Sequence, residues 1–108
     1  MTEQSQWSLQ RVYRYEVRSG GRVIGSLTET GVDQPWFLCT FTPGPAWEEV
    51  SRVFAGMNQA LAQQFAAEYR VAMAAYRDLQ LLLHPVDGGD VIKPAIVWID
   101  GGSARFRY

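Results

Sequence analysis

The sequence predicts an α+β domain in which a mainly antiparallel sheet of about five to six strands carries one broken helix, or two consecutive helices, on one face. Segments with strand-like alternation occupy the beginning and the end of the chain. An apolar stripe at helical spacing fills the middle, and Gly/Pro-rich turns separate the segments. The resulting order, β-β-β-α-α-β-β-β, is typical of a sheet whose helices are segregated to one side.

The first two strands are predicted as a hairpin. Residues from Leu9 to Val17 mostly alternate in polarity, which is the period of a half-buried strand. The turn Ser19-Gly20-Gly21-Arg22 supplies two residues that tolerate positive φ, and Val23–Thr28 returns as the second strand. A polar loop over residues 29–33 is expected to follow, because it contains Gly and acidic residues.

A third strand is predicted over Trp36–Thr42, which is rich in aromatic and β-branched residues. Its alternation places Phe37, Cys39 and Phe41 on one inner face. The run Pro43-Gly44-Pro45 ends the strand, and Pro45 suits the first position of a helix because its missing N–H has no partner there.

The central helical stretch is predicted to be interrupted. Apolar residues recur at spacings of three and four from Val50 to Tyr76 and form one stripe that should pack on the sheet. An unbroken helix from Ala46 to Asp78 would be about 50 Å long, which exceeds the width of a compact domain of this size. We therefore expect a break between Gly56 and Phe65.

Three further strands are predicted after the helices. Leu79–His84 is apolar and ends at Pro85, although its neighbour in the sheet is not evident. Ala95–Ile99 is apolar at both parities, and a turn at Asp100-Gly101-Gly102 leads to an alternating segment, Ala104–Tyr108. We expect this last strand to lie at an edge of the sheet with free backbone groups.

Composition limits the classes of protein to which the chain can belong. Its 108 residues, 47% of them apolar, fit a single domain over 1–108 with a frayed start at residues 1–6. The net charge of −1 disfavours nucleic acid and anionic membrane as partners. The polar start, the single cysteine and the absence of a run of about 20 apolar residues predict a cytoplasmic protein without a signal peptide.

No catalytic residue, metal or cofactor is predicted. Cys39 and His84 would need to meet in space to form a nucleophile and base, and the apolar strand around Cys39 predicts a buried, inert thiol. Asp87, Asp90 and Asp100 lack the alternating carboxylates and the closing Glu of a calcium loop, so turn residues are the simpler interpretation.

Arginines concentrate in the first hairpin. Arg14 and Arg18 lie near Tyr13 and Tyr15, and the same pattern returns at the end of the chain, where Arg105 and Arg107 lie beside Phe106 and Tyr108. Basic and aromatic residues in this combination can bind single-stranded nucleic acid by phosphate contact and stacking. Strand alternation points the arginines away from the tyrosines, so the two kinds of side chain would not share one platform. A solvated face with cross-strand pairs from Glu16 is the structural alternative.

The segment Asp33-Gln34-Pro35-Trp36 places a large ring directly after a rigid proline and a polar stretch. Tryptophan is favoured at binding hot spots, but it also anchors the edges of cores. An exposed Trp36 would make this segment a binding element. Trp7 and Trp47, which start other elements, allow the same two interpretations.

Three segments carry a resemblance to known proteins: Asp33-x-Pro35-Trp36, Pro43-Gly44-Pro45, and the ending from Ile99 to Tyr108. They resemble small uncharacterised bacterial proteins from GC-rich genomes. The resemblance implies a strand-rich start, a central helical stretch and a strand-rich end. It implies no activity.

Taken together, these features predict a non-enzymatic binding or regulatory module that acts through protein–protein contact. The predicted binding residues are Asp33, Trp36, Arg14 and Arg18, and the predicted partner is another protein or a second copy in a homodimer. The alternative is a small enzyme or ligand-binding domain with a pocket between helices and sheet, using His84 or Asp100 together with tyrosines.

Overall fold

A computed structural model describes residues 12–63 and 66–108. These residues form one six-stranded sheet and two helices in the predicted order β-β-β-α-α-β-β-β. The elements are β1 (Arg14–Ser19), β2 (Arg22–Asp33), β3 (Trp36–Pro43), α1 (Trp47–Gln63), α2 (Ala66–Leu79), β4 (Leu81–Pro85), β5 (Ile96–Asp100) and β6 (Ser103–Arg107).

Every strand pair in the sheet is antiparallel, and the strand order is β4-β1-β2-β3-β6-β5. The first three strands form a meander, and the strands that follow the helices are added at both of its sides. As a result β6 lies between β3 and β5, and the prediction that the last strand is an edge was wrong. The outermost strands are β4 and β5.

The β1–β2 hairpin is confirmed. Gly20 and Gly21 form its two-residue turn with φ angles of 57° and 83°, the backbone that glycine adopts without strain. The predicted first strand is observed only from Arg14, and residues 9–11 lie outside the described part of the chain.

The predicted loop at residues 29–33 is wrong, because β2 continues to Asp33. A register shift between Glu29 and Gly31 accommodates one extra residue, after which Gly31 pairs with Leu38 and Asp33 with Trp36. Such a bulge lets a strand with Gly and polar residues stay in the ladder. The turn to β3 is reduced to Gln34 and Pro35, joined by a cis peptide bond.

The inner face of β3 is as predicted: Cys39 and Phe41 are buried and Phe37 is partly buried. The ring of Phe41 packs closely against the backbone of Gly25 in β2. A Cβ atom at Gly25 would lie 2.5 Å from this ring. Only glycine fits at this point of β2.

The helices begin and divide close to the predicted positions. Pro45 is not the first helical residue, because residues 45 and 46 form a turn and α1 starts at Trp47, whose N–H donates to the carbonyl of Gly44 at 3.1 Å. α1 ends at Gln63 and α2 begins at Ala66, which brackets the division within the expected interval, although residues 64 and 65 themselves are outside the described residues.

Both helices pack on the inner face of the sheet. Phe54 and Met57 of α1 are fully buried against inner-face residues of the strands. The Trp47 ring lies 4.8 Å from Phe41 and 5.5 Å from Phe54, so Trp47 is an edge of the core. The largest fully buried side chains are Phe54, Phe106, Ile24, Leu27, Met57, Leu83, Ile99, Val17 and Val97.

Neither described helix is long and apolar enough to span a bilayer.

Candidate binding surface

The face of the sheet opposite the helices carries a group of aromatic, apolar and cationic side chains. In β3, Trp36 and Leu38 alternate with the inward Phe37 and Cys39, and in β5 Trp98 lies between two buried residues. In β6, the exposed arginines alternate with buried Ala104 and Phe106. We call this group the Trp36 surface, and its members are Trp36, Leu38, Trp98, Arg105 and Arg107.

Two cations lie over one indole ring in the Trp36 surface. The Cζ atom of Arg105 is 4.7 Å from the centroid of the Trp36 ring, and that of Arg107 is 5.4 Å away. Both distances are within the range of cation–π attraction. The β3–β6 register accounts for this arrangement. Leu38 is opposite Arg105, so two positions along the antiparallel ladder Trp36 comes beside Arg107, while Trp98 of β5 is opposite Arg105 on its other side.

Arg105 and Arg107 have no carboxylate partner among residues 12–63 and 66–108. The ion pairs found there join Arg18 to Glu16 and Arg22 to Glu49. The Trp36 surface therefore presents two restrained positive charges beside half-buried indole and aliphatic groups. This combination can bind an anionic group together with apolar side chains.

The structure brings together two of the four predicted binding residues. Asp33 and Trp36 are cross-strand partners at the end of the β2–β3 hairpin. Asp33 is exposed, whereas Trp36 is half-buried rather than exposed as the binding interpretation required. The Trp36 ring is partly covered by the protein, and one face of the ring contacts Arg105 and Arg107.

Arg14 and Arg18 lie on a different part of the sheet. Arg14 pairs with Thr28, which pairs with Thr40, so two strand spacings and four residues separate it from Trp36, roughly 16 Å. Arg18 is farther along β1, where its Nε donates to Glu16 at 2.7 Å. The predicted cross-strand pair from Glu16 is thus replaced by a pair within one strand.

The sequence marks Arg105 and Arg107 only as a second segment of basic and aromatic residues, and neither they nor Trp98 were among the predicted binding residues. Alternation in the last strand correctly set the two arginines opposite to Phe106. However, the pairing of β6 with β3 joins distant parts of the chain, and no local pattern specifies it. The only indication in the sequence is that Trp36 and the two arginines each fall on the outward side of their own strand.

Both outer edges of the sheet have backbone groups that are already bonded. At β5, the N–H of Val97 donates to the Tyr76 hydroxyl at 2.8 Å, and the Asn58 amide donates to the carbonyl of Ile99 at 2.9 Å. At β4, Leu83 and Ile92 exchange two hydrogen bonds of 2.9 Å each. These contacts disfavour the addition of a partner strand at either edge.

A cleft of about 600 Å³ lies between the C-terminal part of α1 and the sheet. Its lining includes the cross-strand pair of Cys39 and Ala104 together with Leu38, Trp98 and Arg105, so the cleft adjoins the Trp36 surface. Asn58, Asp100 and Thr40 are among its polar lining residues. The cleft thus lies beside α1, as the alternative function requires of a pocket, but it is shared with side chains of the outer face.

Cys39 and His84 do not form a catalytic pair. They belong to β3 and β4, which are separated by two other strands, so they are at least about 14 Å apart. Burial raises the pKa of the Cys39 thiol to about 12, with Glu29 adding to the effect, which keeps the sulfur protonated and weakly nucleophilic at neutral pH. The predicted burial of the thiol is confirmed.

The buried tyrosines hold structural hydrogen bonds. The Tyr15 hydroxyl donates to Glu29 at 2.7 Å, and burial together with this bond raises the pKa of Tyr15. Burial likewise raises the pKa of Tyr76, whose oxygen accepts from Val97. Neither phenol is tuned toward proton transfer near neutral pH.

The candidate acid–base and metal-binding groups are dispersed. Asp100 lines the cleft beside α1, whereas His84 lines a separate cavity of about 420 Å³ near Gly20 and Asp78. Within the described ranges, no three side chains of His, Cys, Asp or Glu are close enough to hold a metal ion.

Comparison of the chain with protein-family models, with curated proteins and with solved structures gave no match in any of the three. The resemblance to small bacterial proteins from GC-rich genomes stays a prediction.

Proposed function

We propose that this protein is a non-enzymatic binding module that contacts a protein partner through the Trp36 surface. The observation that carries the proposal is the pair of arginines, without carboxylate partners in the described ranges, that flank a half-buried tryptophan on the outer face. Trp and Arg are the residue types that most often supply binding energy at protein interfaces.

The fixed position of Trp36 supports a binding role. The ring is half-buried and lies beneath two guanidinium groups, so little side-chain freedom remains to be lost on association. Preorganised anchors of this kind reduce the entropic cost of binding. Leu38 and Trp98, both half-buried, extend the apolar area next to it.

The bonded edges favour association through the face of the sheet. A partner strand added at β5 would displace the bonds from Tyr76 and Asn58, and one added at β4 would displace Ile92. A partner lying across the outer face displaces none of these bonds. The partner is a different protein or a second copy of the chain, as the sequence predicts.

Site-directed photo-crosslinking in the native host tests the proposal. A photoreactive amino acid at Thr40, an exposed outer-face residue of β3, is compared with the same amino acid at Val71, which is exposed on α2. We expect a discrete protein adduct from Thr40 that is absent from Val71 and lost when Trp36→Ala is added without a change of fold. The mass of the adduct distinguishes a homodimer from another protein.

Adducts of equal yield from both positions, or none from Thr40, would contradict the proposal. Trp36→Phe is the matched variant for stability, because it keeps an aromatic ring while reducing the area offered to a partner. A fold check by circular dichroism on each variant separates loss of binding from loss of structure.

A second candidate function, the binding of a small ligand, is supported by the cleft beside α1. Its volume of about 600 Å³ falls in the range of small-molecule sites. Filling it with Ala62→Phe should abolish any ligand-induced rise in melting temperature. Ala55→Phe, at an exposed position of the same helix outside the cleft, should leave that rise unchanged. The separation of His84 from Asp100 favours binding over catalysis here.

A further inference from the structure

Building on the proposed function, we propose that the Trp36 surface recognises an acidic, extended protein segment. Two carboxylates of the segment would bind Arg105 and Arg107, and apolar side chains of the segment would pack on Leu38 and Trp98. The inference names the chemistry of the partner and depends on the Trp36 surface being the place where a partner binds.

The spacing of the two arginines suits an extended segment. Arg105 and Arg107 are two residues apart on β6 and point to the same face, so their Cα atoms are about 7 Å apart. Acidic residues at positions i and i+2 of an extended chain have the same spacing and also project to one side. A segment that lies along β6 can therefore present one carboxylate to each arginine.

The ring of Trp36 leaves the hydrogen-bond donors of both guanidinium groups available. A guanidinium that contacts an aromatic ring can still direct its N–H groups to a carboxylate in a two-bond geometry. No carboxylate among the described residues lies within ion-pair distance of either group. An incoming acidic side chain would therefore compete with no internal partner there.

The carboxylates around the surface limit its ligand to a short acidic stretch. Asp33 is the cross-strand partner of Trp36, and Asp100 is at the end of β5, two residues after Trp98. A continuous polyanion that extended past the arginines would be repelled by both, which disfavours nucleic acid. Base stacking on Trp36 is also obstructed, because the guanidinium groups occupy positions over its ring.

A peptide-display selection tests the inference with a library of random 12-residue peptides. The targets are the wild-type protein, Arg105→Gln/Arg107→Gln, and Trp36→Ala. Arg14→Gln/Arg18→Gln is the matched control, because it removes the same charge from the outer face of β1. Equal melting temperatures establish that the variants are folded. The best peptides are then measured by fluorescence anisotropy at low and high NaCl, beside a 12-nucleotide oligo(dT).

We expect the wild-type protein to enrich peptides with acidic residues at i and i+2 beside apolar residues. Their affinity should fall about tenfold or more in Arg105→Gln/Arg107→Gln and should weaken in high salt, because exposed charge pairs are screened. The Arg14→Gln/Arg18→Gln control should bind within about twofold of wild type, and oligo(dT) should not bind.

The other outcomes separate the two proposals. Enriched peptides that require Trp36 but show no acidic preference would overturn the acidic inference and leave the binding module intact. No peptide dependent on Trp36 would contradict both. An equal loss in the two arginine double variants would assign the effect to net charge, and tighter binding of oligo(dT) would identify nucleic acid as the ligand; either result overturns the inference.

Discussion

The guanidinium of Arg105 lies 4.7 Å from the centre of the Trp36 ring, although one residue begins the third strand and the other belongs to the last. The contact exists because β6, which follows both helices in the chain, pairs with β3 in the sheet. It joins two of the three strands whose side chains form the Trp36 surface, and the third strand is β5, which contains Trp98.

Removing the Arg105 charge should lower stability slightly. We expect Arg105→Gln to reduce the free energy of unfolding by about 0.5–1 kcal/mol, the usual value of an exposed cation–π contact. Urea denaturation monitored by circular dichroism measures it. Arg14→Gln is the control, and its effect should stay within about 0.5 kcal/mol because no described aromatic ring accepts that side chain. Equal effects would show that the contact with Trp36 adds no stability.

Two glycine substitutions should have opposite signs. Gly25→Ala places a Cβ 2.5 Å from both the Phe41 ring and the carbonyl of Thr42, so we expect a loss of about 1–3 kcal/mol. Gly56→Ala on α1 meets nothing within 4 Å and should stabilise the helix by about 0.5–1 kcal/mol. Denaturation midpoints compare them, and a neutral Gly25→Ala would contradict the close approach of Phe41.

Opening the β5 edge should promote self-association. Tyr76→Phe removes the acceptor for the N–H of Val97, which we expect to lower the free energy of unfolding by about 1–3 kcal/mol because a buried donor loses its partner. It also frees an edge N–H for pairing between molecules. Light scattering over a range of concentrations should show growth in mass, whereas Tyr69→Phe, a half-buried residue of the same helix, should behave as wild type.

The Cys39 thiol should make stability fall at alkaline pH. Its pKa rises from 9.0 to about 12 on folding, so the protonated thiol favours the folded state below pH 9, and this contribution is lost as the pH rises toward 12. Cys39→Ala should therefore show a weaker decline between pH 9 and 11 than wild type. Buried tyrosines contribute in the same direction in both proteins. Cys39 is also one cause of the raised pKa of Tyr15, so the difference between the two curves reports the thiol together with its effect on Tyr15. Parallel curves would contradict the raised pKa.

The parts of the fold that depend on neighbouring residues were predictable from the sequence. The Gly20-Gly21 turn, the alternation of β3 and the division of the helical stretch each follow from local spacing, and the structure confirms them. The error at residues 29–33 has a local cause as well. Polar and glycine residues predict a loop when composition alone is considered. The bulge between Glu29 and Gly31 keeps these residues in the ladder, so the segment is a strand.

The candidate site was only half predictable. Asp33 and Trp36 lie within one hairpin, so their proximity follows from a short segment. The positions of Arg105 and Arg107 over Trp36 depend on which strand β6 joins, and alternation reports the face of a side chain but not its neighbouring strand. Arg14 and Arg18 were predicted to bind because they are charged and lie in the first hairpin. The strand register places them on a part of the sheet away from Trp36.

The pairing of β1, β2 and β3 in chain order also has consequences for how the molecule is made. These three strands need only short turns to meet, so their contacts can form rapidly, before the remainder of the chain is available. β4 and β6 have to close long loops across both helices to reach the meander. During synthesis the meander would thus be exposed to the ribosome surface with its inner apolar residues uncovered, and its shielding would await the arrival of α1.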